Sequence, residues 1–361
     1  LYWAGLGMYV LLRILRFGNE PLVRPAALLG ALAFQFSDAL FIHLGNLNLI
    51  AVLAWLPWVF AAYWLALERR RLLWAAVAAV LFAIGNYAGH AQSSYYIGLT
   101  LGVYTLIWLT LEIRGESKAR DDNEQRAWPR FVWERLKYLV LVGLLTVLLT
   151  APILLPAFEM AGYTDRQDYT YQDAIGYSLA PTQAIAGLST PGFFGRGPQL
   201  HWSLWDRVET PYVGLVALIL AILGLALAPR ATRRRLWPWV GLALFGLLVA
   251  LGVYGIVHGL LYAILPGFDQ FRAPARAIVI WAFAVSVMGA VGVDVLVRRW
   301  RHTESAIAEA QQPPRDRGVT IFMLVGAIVL VGLVVPILFW ALLITQGDDA
   351  NFLHASLAVL S

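Results

Sequence analysis

The sequence predicts an all-α polytopic membrane protein, and three observations carry that expectation. Hydrophobic residues make up 60% of the 361 and charged residues only 14%, with a mean hydropathy of +0.68. Too few polar side chains remain to cover a water-facing surface. Apolar runs recur at lengths that cross about 30 Å of hydrocarbon as helices, roughly 17 to 25 residues each. Lys and Arg gather in alternate loops between those runs, as the positive-inside bias requires.

The runs lie at about 25 to 42, 48 to 67, 72 to 89, 95 to 113, 137 to 158, 211 to 228, 236 to 254, 277 to 297 and 319 to 345. With a partial run at 1 to 17 they predict about ten transmembrane helices, the first one partial. Leu, Ala, Val and Ile fill them without the alternation of a barrel strand. A backbone in lipid must satisfy its own hydrogen bonds, so helices are expected. The aromatic share of 13% suits a chain with two water–lipid boundaries. With no cysteine, disulfides, thiolate-ligated zinc and thiol catalysis are excluded.

Of the 27 Lys and Arg residues, all but Arg166, Arg196, Arg207, Arg272 and Arg276 fall in one set of alternate loops. That set is expected to face the cytoplasm. The loops near 43 to 48, 90 to 94, 159 to 210 and 255 to 276, and the C-terminal end of the segment, then face outward. A net charge of +5 does not argue for nucleic acid, because the basic residues sit in short loops and not on one solvated face with aromatics between them.

The chain opens on Leu1 inside an apolar stretch, so it reads as one transmembrane domain, 1–361, truncated at both ends. Residues 114–136 read as a cytoplasmic linker and interfacial helix, with Trp128, Phe131, Trp133 and Leu136 between Arg130, Glu134 and Arg135. Residues 159–210 form a long extracytoplasmic loop. In 256–276 an apolar run too short to cross predicts a short re-entrant or interfacial helix.

Polar chemistry concentrates on the outer face. No midplane carboxylate or lysine marks an ion-coupled carrier, and Asp38 and Asp294 read as reaching the headgroup zone from span ends. His43, His90, His201, His258 and His354 fall on that face among several carboxylates. A divalent metal is open, but no pair has the spacing of a ligand motif, so no metal site and no cofactor is assigned. Gly89-His90-Ala91-Gln92, followed by Ser93, Ser94 and Tyr95, offers donors and acceptors to sugar hydroxyls or a phosphate oxygen. Hydrogen bonds between helix ends are the alternative. Arg272 and Arg276, four apart where the chain re-enters lipid, suit a lipid phosphate or pyrophosphate held by guanidinium groups. Pairing with Asp269 or Glu159 is the alternative. The long loop combines Glu159, Asp165, Arg166, Asp168 and Glu209 with tyrosines and tryptophans, a mixture that carbohydrate sites use.

Several short words occur in order: Leu6-Gly7-Met8-Tyr9, His43-Leu44-Gly45-Asn46, Ala54-Trp55-Leu56-Pro57, Gly89-His90-Ala91-Gln92 and Leu155-Pro156 with Glu159. They continue with Pro191-Gly192-Phe193-Phe194-Gly195, Tyr212-Val213-Gly214 and Arg272-Ala273-Pro274-Ala275-Arg276. In this order the chain resembles the YfhO-like bacterial membrane proteins, which are similar to the C-type (GT-C) glycosyltransferases. The resemblance implies an enzyme of the bacterial cytoplasmic (inner) membrane. It would move a sugar from a polyprenyl-phosphate donor to a cell-surface acceptor such as a glycan, a teichoic acid or a protein.

By the same resemblance Arg272 and Arg276 hold the donor phosphate, and His90, Gln92 and Tyr95 flank the donor. Glu159, Arg166 and Glu209 match positions typical of the family. The catalytic base is expected in an outer loop upstream of Leu1, which leaves the catalytic residue unassigned; neither Asp38 nor His43 is assigned that role. Three other readings stay open at this stage. A lipid-oligosaccharide polymerase or ligase would share the arginines, a lipid flippase or transporter would need a polar path through the midplane, and a structural scaffold would need neither.

Overall fold

The computed structural model of the chain describes residues 1–18, 20–116, 128–164, 169–191 and 209–310, and among them every regular element is helical. The helices are α1 (Tyr2–Ile14), α2 (Arg24–Gln35), α3 (Asp38–Phe41), α4 (Leu47–Leu53), α5 (Leu56–Arg69), α6 (Leu72–Asn86) and α7 (Ala91–Glu116). They continue as α8 (Trp128–Ala161), α9 (Tyr171–Ala174), α10 (Pro181–Gly187), α11 (Leu215–Leu227), α12 (Arg230–Ala250), α13 (Ile256–Ile264) and α14 (Ile278–Ala310). Single 3₁₀ turns stand at Gly252–Tyr254, Phe268–Gln270 and Pro274–Ala277.

Among the described residues four stretches are long and apolar enough to cross a membrane: Leu47–Arg69, Ala91–Arg114, Phe131–Ala161 and Pro274–Arg301. Leu72–Asn86 and Leu215–Leu227 are apolar but shorter. Burial separates the long ones sharply. The Pro274–Arg301 window is 83% buried inside the protein, whereas the Phe131–Ala161 window, the most apolar of the four at a mean hydropathy of 2.5, is 22% buried. An apolar helix left so largely uncovered by its own chain requires an apolar surrounding, which fits a membrane-embedded protein. The expected run at 319 to 345 lies outside the described residues.

Helix α14 is central because α2, α11 and α12 all pack on it, and glycines set how closely they do so. A Cβ at Gly289 would sit 2.9 Å from the Ala217 carbonyl oxygen, and one at Gly292 would overlap that of Leu220. On α2, a Cβ at Gly30 would meet the Ser286 carbonyl oxygen at 2.8 Å. Small residues of this kind let helix backbones approach and gain dispersion contact where lipid offers no hydrophobic drive between helices. Near the start of α14, Phe34, Phe60, Tyr104, Trp239 and Phe283 pack ring against ring with centroids 5.0 to 5.8 Å apart. All five are buried, so this cluster supplies a large apolar area with edge-to-face and tilted ring contacts.

The two ends of the apolar stretch Pro274–Arg301 carry different chemistry. At its later end Arg298 pairs with Asp294 (2.7 Å) and with Glu20, and donates to the Pro21 carbonyl at 2.8 Å. Arg235 donates to the Arg16 carbonyl at 3.0 Å and Arg135 to that of Leu67 at 2.8 Å. Cations there satisfy carbonyls that helix C-termini leave open. From Ile278 to Arg298 a straight helix rises about 30 Å, close to the thickness of a hydrocarbon core. The arginine segment 272–276 lies at the opposite end.

Four sequence expectations are corrected. The run at 25 to 42 is not one helix: α2 ends at Gln35, and Ser37 and Asp38 begin a new turn, with Ser37 Oγ donating to the Phe34 carbonyl at 2.8 Å. The interfacial helix of 114–136 is no separate element, because its part from Trp128 onward runs on without a break as α8; residues 117–127 lie outside the described residues. The loop 159–210 contains α9 and α10. Asp38 does not reach a headgroup zone but is buried, 4% exposed, and Asp294 turns inward to accept from the Val23 amide at 2.8 Å.

Candidate functional site

Helix α7 starts just after Gly89, whose φ of +79° turns the chain out of α6. His90 Nδ1 accepts a hydrogen bond from the Ser93 amide at 3.2 Å, which satisfies one of the open donors of the first turn. Gln92, 6% exposed, points the other way into the protein. Its Nε2 donates to the Arg272 carbonyl at 2.6 Å and to Tyr96 Oη at 3.0 Å, and its Oε1 accepts from Arg276 Nη1 at 2.7 Å. Tyr95 Oη donates to the Pro266 carbonyl at 3.1 Å, with its ring against Phe268 and Phe271. The first turn of α7 is thereby joined to the whole segment 266–276.

That segment is bent. Gly267 takes a φ of +74° and Ala273 one of +59°. For alanine the left-handed region costs about 1 to 2 kcal/mol, so neighbouring contacts must hold it there. The Ala273 amide donates to the Gly176 carbonyl at 3.0 Å and the Ala275 amide to that of Tyr177 at 3.3 Å. Tyr177 is itself left-handed, φ +61°.

Because the backbone between them turns, Arg272 and Arg276 diverge. Arg272 is exposed, and among the described residues its guanidinium has no ion-pair partner, Asp269 and Glu159 included. Arg276 reaches inward, with Nε 3.9 Å from Glu209 Oε1, and the same oxygen lies 3.3 Å from His43 Nε2. Glu209 and His43 are each 2% exposed. The neighbouring residue delivers Glu209: Thr210 donates to Asp38 Oδ2 from its amide at 2.7 Å and from its hydroxyl at 2.8 Å. Trp281 Nε1 holds the following turn through the Pro211 carbonyl at 2.9 Å.

Ala39, His43, Leu49, Leu53, Ser93, Tyr96, Glu209, Arg276 and Ile278 pack around one another here. They leave no room for a water molecule between them. The cluster is therefore closed on itself, and a sugar-sized ligand enters only when its members part. At the surface Arg272 supplies positive charge, with the exposed Asp269 three residues before it.

Gln92, Arg276 and Glu209 thus meet, Tyr95 on α7 and His90 just before it stand beside them, and Arg272 lies at the rim. Glu159 is apart, exposed near the end of α8. Arg166 lies outside the described residues, as does His201. Among the described residues no three of His, Asp and Glu converge as a metal ligand set. His43 and Asp38 belong to the site's framework, a role that sequence reasoning did not assign them. On α13, burial against Phe268 and Tyr171 pushes the His258 imidazole down to about 4. No family model, curated protein or solved structure matches this chain.

Proposed function

We propose that the chain is the membrane domain of a GT-C-type glycosyltransferase. In this reading about ten spans sit in a bacterial cytoplasmic membrane with the Arg298 end inward. A sugar passes from a polyprenyl-phosphate donor to a cell-surface acceptor at the outer face, whether a glycan, a teichoic acid or a protein.

The observation that carries the reading is the exposed Arg272, without an ion-pair partner among the described residues, at the end of α14 opposite the basic rim and backed by Arg276. A planar guanidinium at a water–lipid boundary matches phosphate oxygens bidentately. Charge that develops on the phosphate as the sugar departs would be met by a cation already in place, which is where electrostatic catalysis acts. The resemblance described above supplies the sugar and the polyprenyl carrier. Among the described residues the buried histidines and carboxylates are Asp38, His43, Glu209 and His258 toward the start of the Pro274–Arg301 stretch and Asp294 toward its later end, whereas a carrier calls for such groups along a path between the ends.

Binding of a polyprenyl phosphate to the protein in nanodiscs, followed by transfer from the corresponding polyprenyl-phosphate sugar, tests the proposal. The expected result is binding that Arg272→Ala abolishes, together with cleavage of the sugar–phosphate bond in the full-length protein. Preference for a polyprenyl pyrophosphate oligosaccharide would indicate the ligase or polymerase. Movement of the lipid between leaflets with the glycosidic bond intact would indicate the flippase.

A further inference from the structure

We infer that Gln92 is the positioning residue of the phosphate-binding segment: it holds the backbone of Arg272 and the side chain of Arg276 together, so that the exposed guanidinium is aimed before any ligand arrives. The inference rests on the proposed function for the identity of the ligand, and on geometry alone for the positioning.

One amide side chain makes contacts at both ends of the segment. Its Nε2 donates to the Arg272 carbonyl at 2.6 Å and lies 3.4 Å from the Ala273 carbonyl oxygen, while its Oε1 receives Arg276 Nη1 at 2.7 Å. Nothing smaller or singly functional does both, because the first contact needs a donor and the second an acceptor. Gln92 is buried and stands in the first turn of the long helix α7, so its position is set by a rigid element and not by the segment it grips.

Ala273 supplies an independent observation. A non-glycine residue at φ +59° next to Pro274 is an outlier that surrounding contacts must sustain, and such outliers concentrate where a ligand is clamped. Two groups sustain it here: Gln92 on the carbonyl side, and the Gly176 carbonyl, which takes the Ala273 amide at 3.0 Å. The left-handed residue sends the chain in one direction for Arg272 and another for Arg276. Without the grip on its carbonyls, the segment is free to leave this conformation, and the rim guanidinium loses its fixed direction. A preorganised donor binds more tightly because its ordering precedes the ligand.

The experiment uses the chain in nanodiscs with a polyprenyl phosphate as probe, comparing the parent, Gln92→Leu, Gln92→Glu, and Gln92→Leu combined with Ala273→Gly. Hydrogen exchange of residues 273–276 is followed in the same samples. Gln92→Leu is expected to weaken binding about tenfold or more and to speed exchange of the 273 and 275 amides. Gln92→Glu retains the acceptor for Arg276 but loses the donor to the carbonyls, and is expected to weaken binding to the same degree. Glycine adopts the left-handed conformation without steric cost, so the double variant should recover part of both losses, which a merely structural role for Gln92 in packing α7 would not allow. Binding by Gln92→Leu within twofold of the parent, or exchange that stays slow in it, overturns the inference. So does a loss that Ala273→Gly leaves untouched. If the parent itself does not bind the probe, the proposed ligand is wrong, and the exchange measurements still decide the positioning role.

Discussion

Thr210 donates two hydrogen bonds to a single oxygen of Asp38, from its amide at 2.7 Å and from its hydroxyl at 2.8 Å. The pair joins the start of α3 to a segment 172 residues later, and both residues are buried, at 4% exposure each. Glu209 is fixed by this clamp beside His43 and Arg276. Hydrogen bonds to a buried carboxylate stabilise by about 1.5 to 3 kcal/mol, more than neutral pairs.

Asp38→Ala is therefore expected to lower stability by about 2 to 3 kcal/mol in unfolding from mixed micelles. Thr210→Val keeps the amide donor and should cost about 1 kcal/mol. A smaller loss for Asp38→Ala than for Thr210→Val would show that the carboxylate is not the anchor of this end.

Close approach of α11 and α14 makes Gly292 intolerant of any side chain. A Cβ there would overlap the Leu220 carbonyl oxygen, and a carbonyl in a helix cannot swing aside. Gly292→Leu should cost about 3 kcal/mol or more through overpacking. Gly98, on α7, has nothing within 4 Å of its would-be Cβ, so Gly98→Ala should be neutral or stabilising by up to about 1 kcal/mol. Equal responses at the two sites would contradict the packing described for α14.

His258 predicts a pH dependence with a definite sign. Its folded value lies near 4, against 6.5 unperturbed, because burial disfavours the charged ring. As pH falls through 6.5 the unfolded chain takes up a proton that the folded one does not, so stability declines from there until about pH 4. Glu20, held below the usual carboxylate range by Arg298, and Asp173, held there by Thr170, stay ionised over most of that window. Urea or SDS unfolding at pH 7 and pH 5 should show a loss in the parent that His258→Phe reduces; an unchanged slope would place the proton elsewhere.

How far the sequence led can be seen at particular residues. Helices in an apolar chain were legible from composition and run length, and the short helix α13 from a run too brief to cross. The break after Gln35 was not, because the run from 25 to 42 is apolar apart from Gln35, Ser37 and Asp38, and Asp38 is fixed by a clamp from Thr210 far along the chain. The same distance hid His43, whose partner Glu209 only folding brings near. Arg272 and Arg276 were visible as a pair, four residues apart, out of place in an outer loop. The left-handed turn at Ala273 divides them, and no local pattern announces that turn in an alanine followed by a proline. Gln92 was legible as a candidate, but its contacts with the arginine segment depend on how α7 meets that segment.

The central claim is that Arg272, and not simply positive charge at this end, receives a lipid-linked phosphate. Its most direct test is the affinity of the nanodisc-embedded chain for a polyprenyl phosphate in Arg272→Ala, Arg272→Lys and Arg276→Ala, each checked for an unchanged unfolding midpoint. The account predicts that Arg272→Ala loses binding about a hundredfold, that Arg272→Lys recovers only part because an ammonium lacks the planar fork, and that Arg276→Ala falls between them. Binding by Arg272→Ala equal to that of the parent would contradict it.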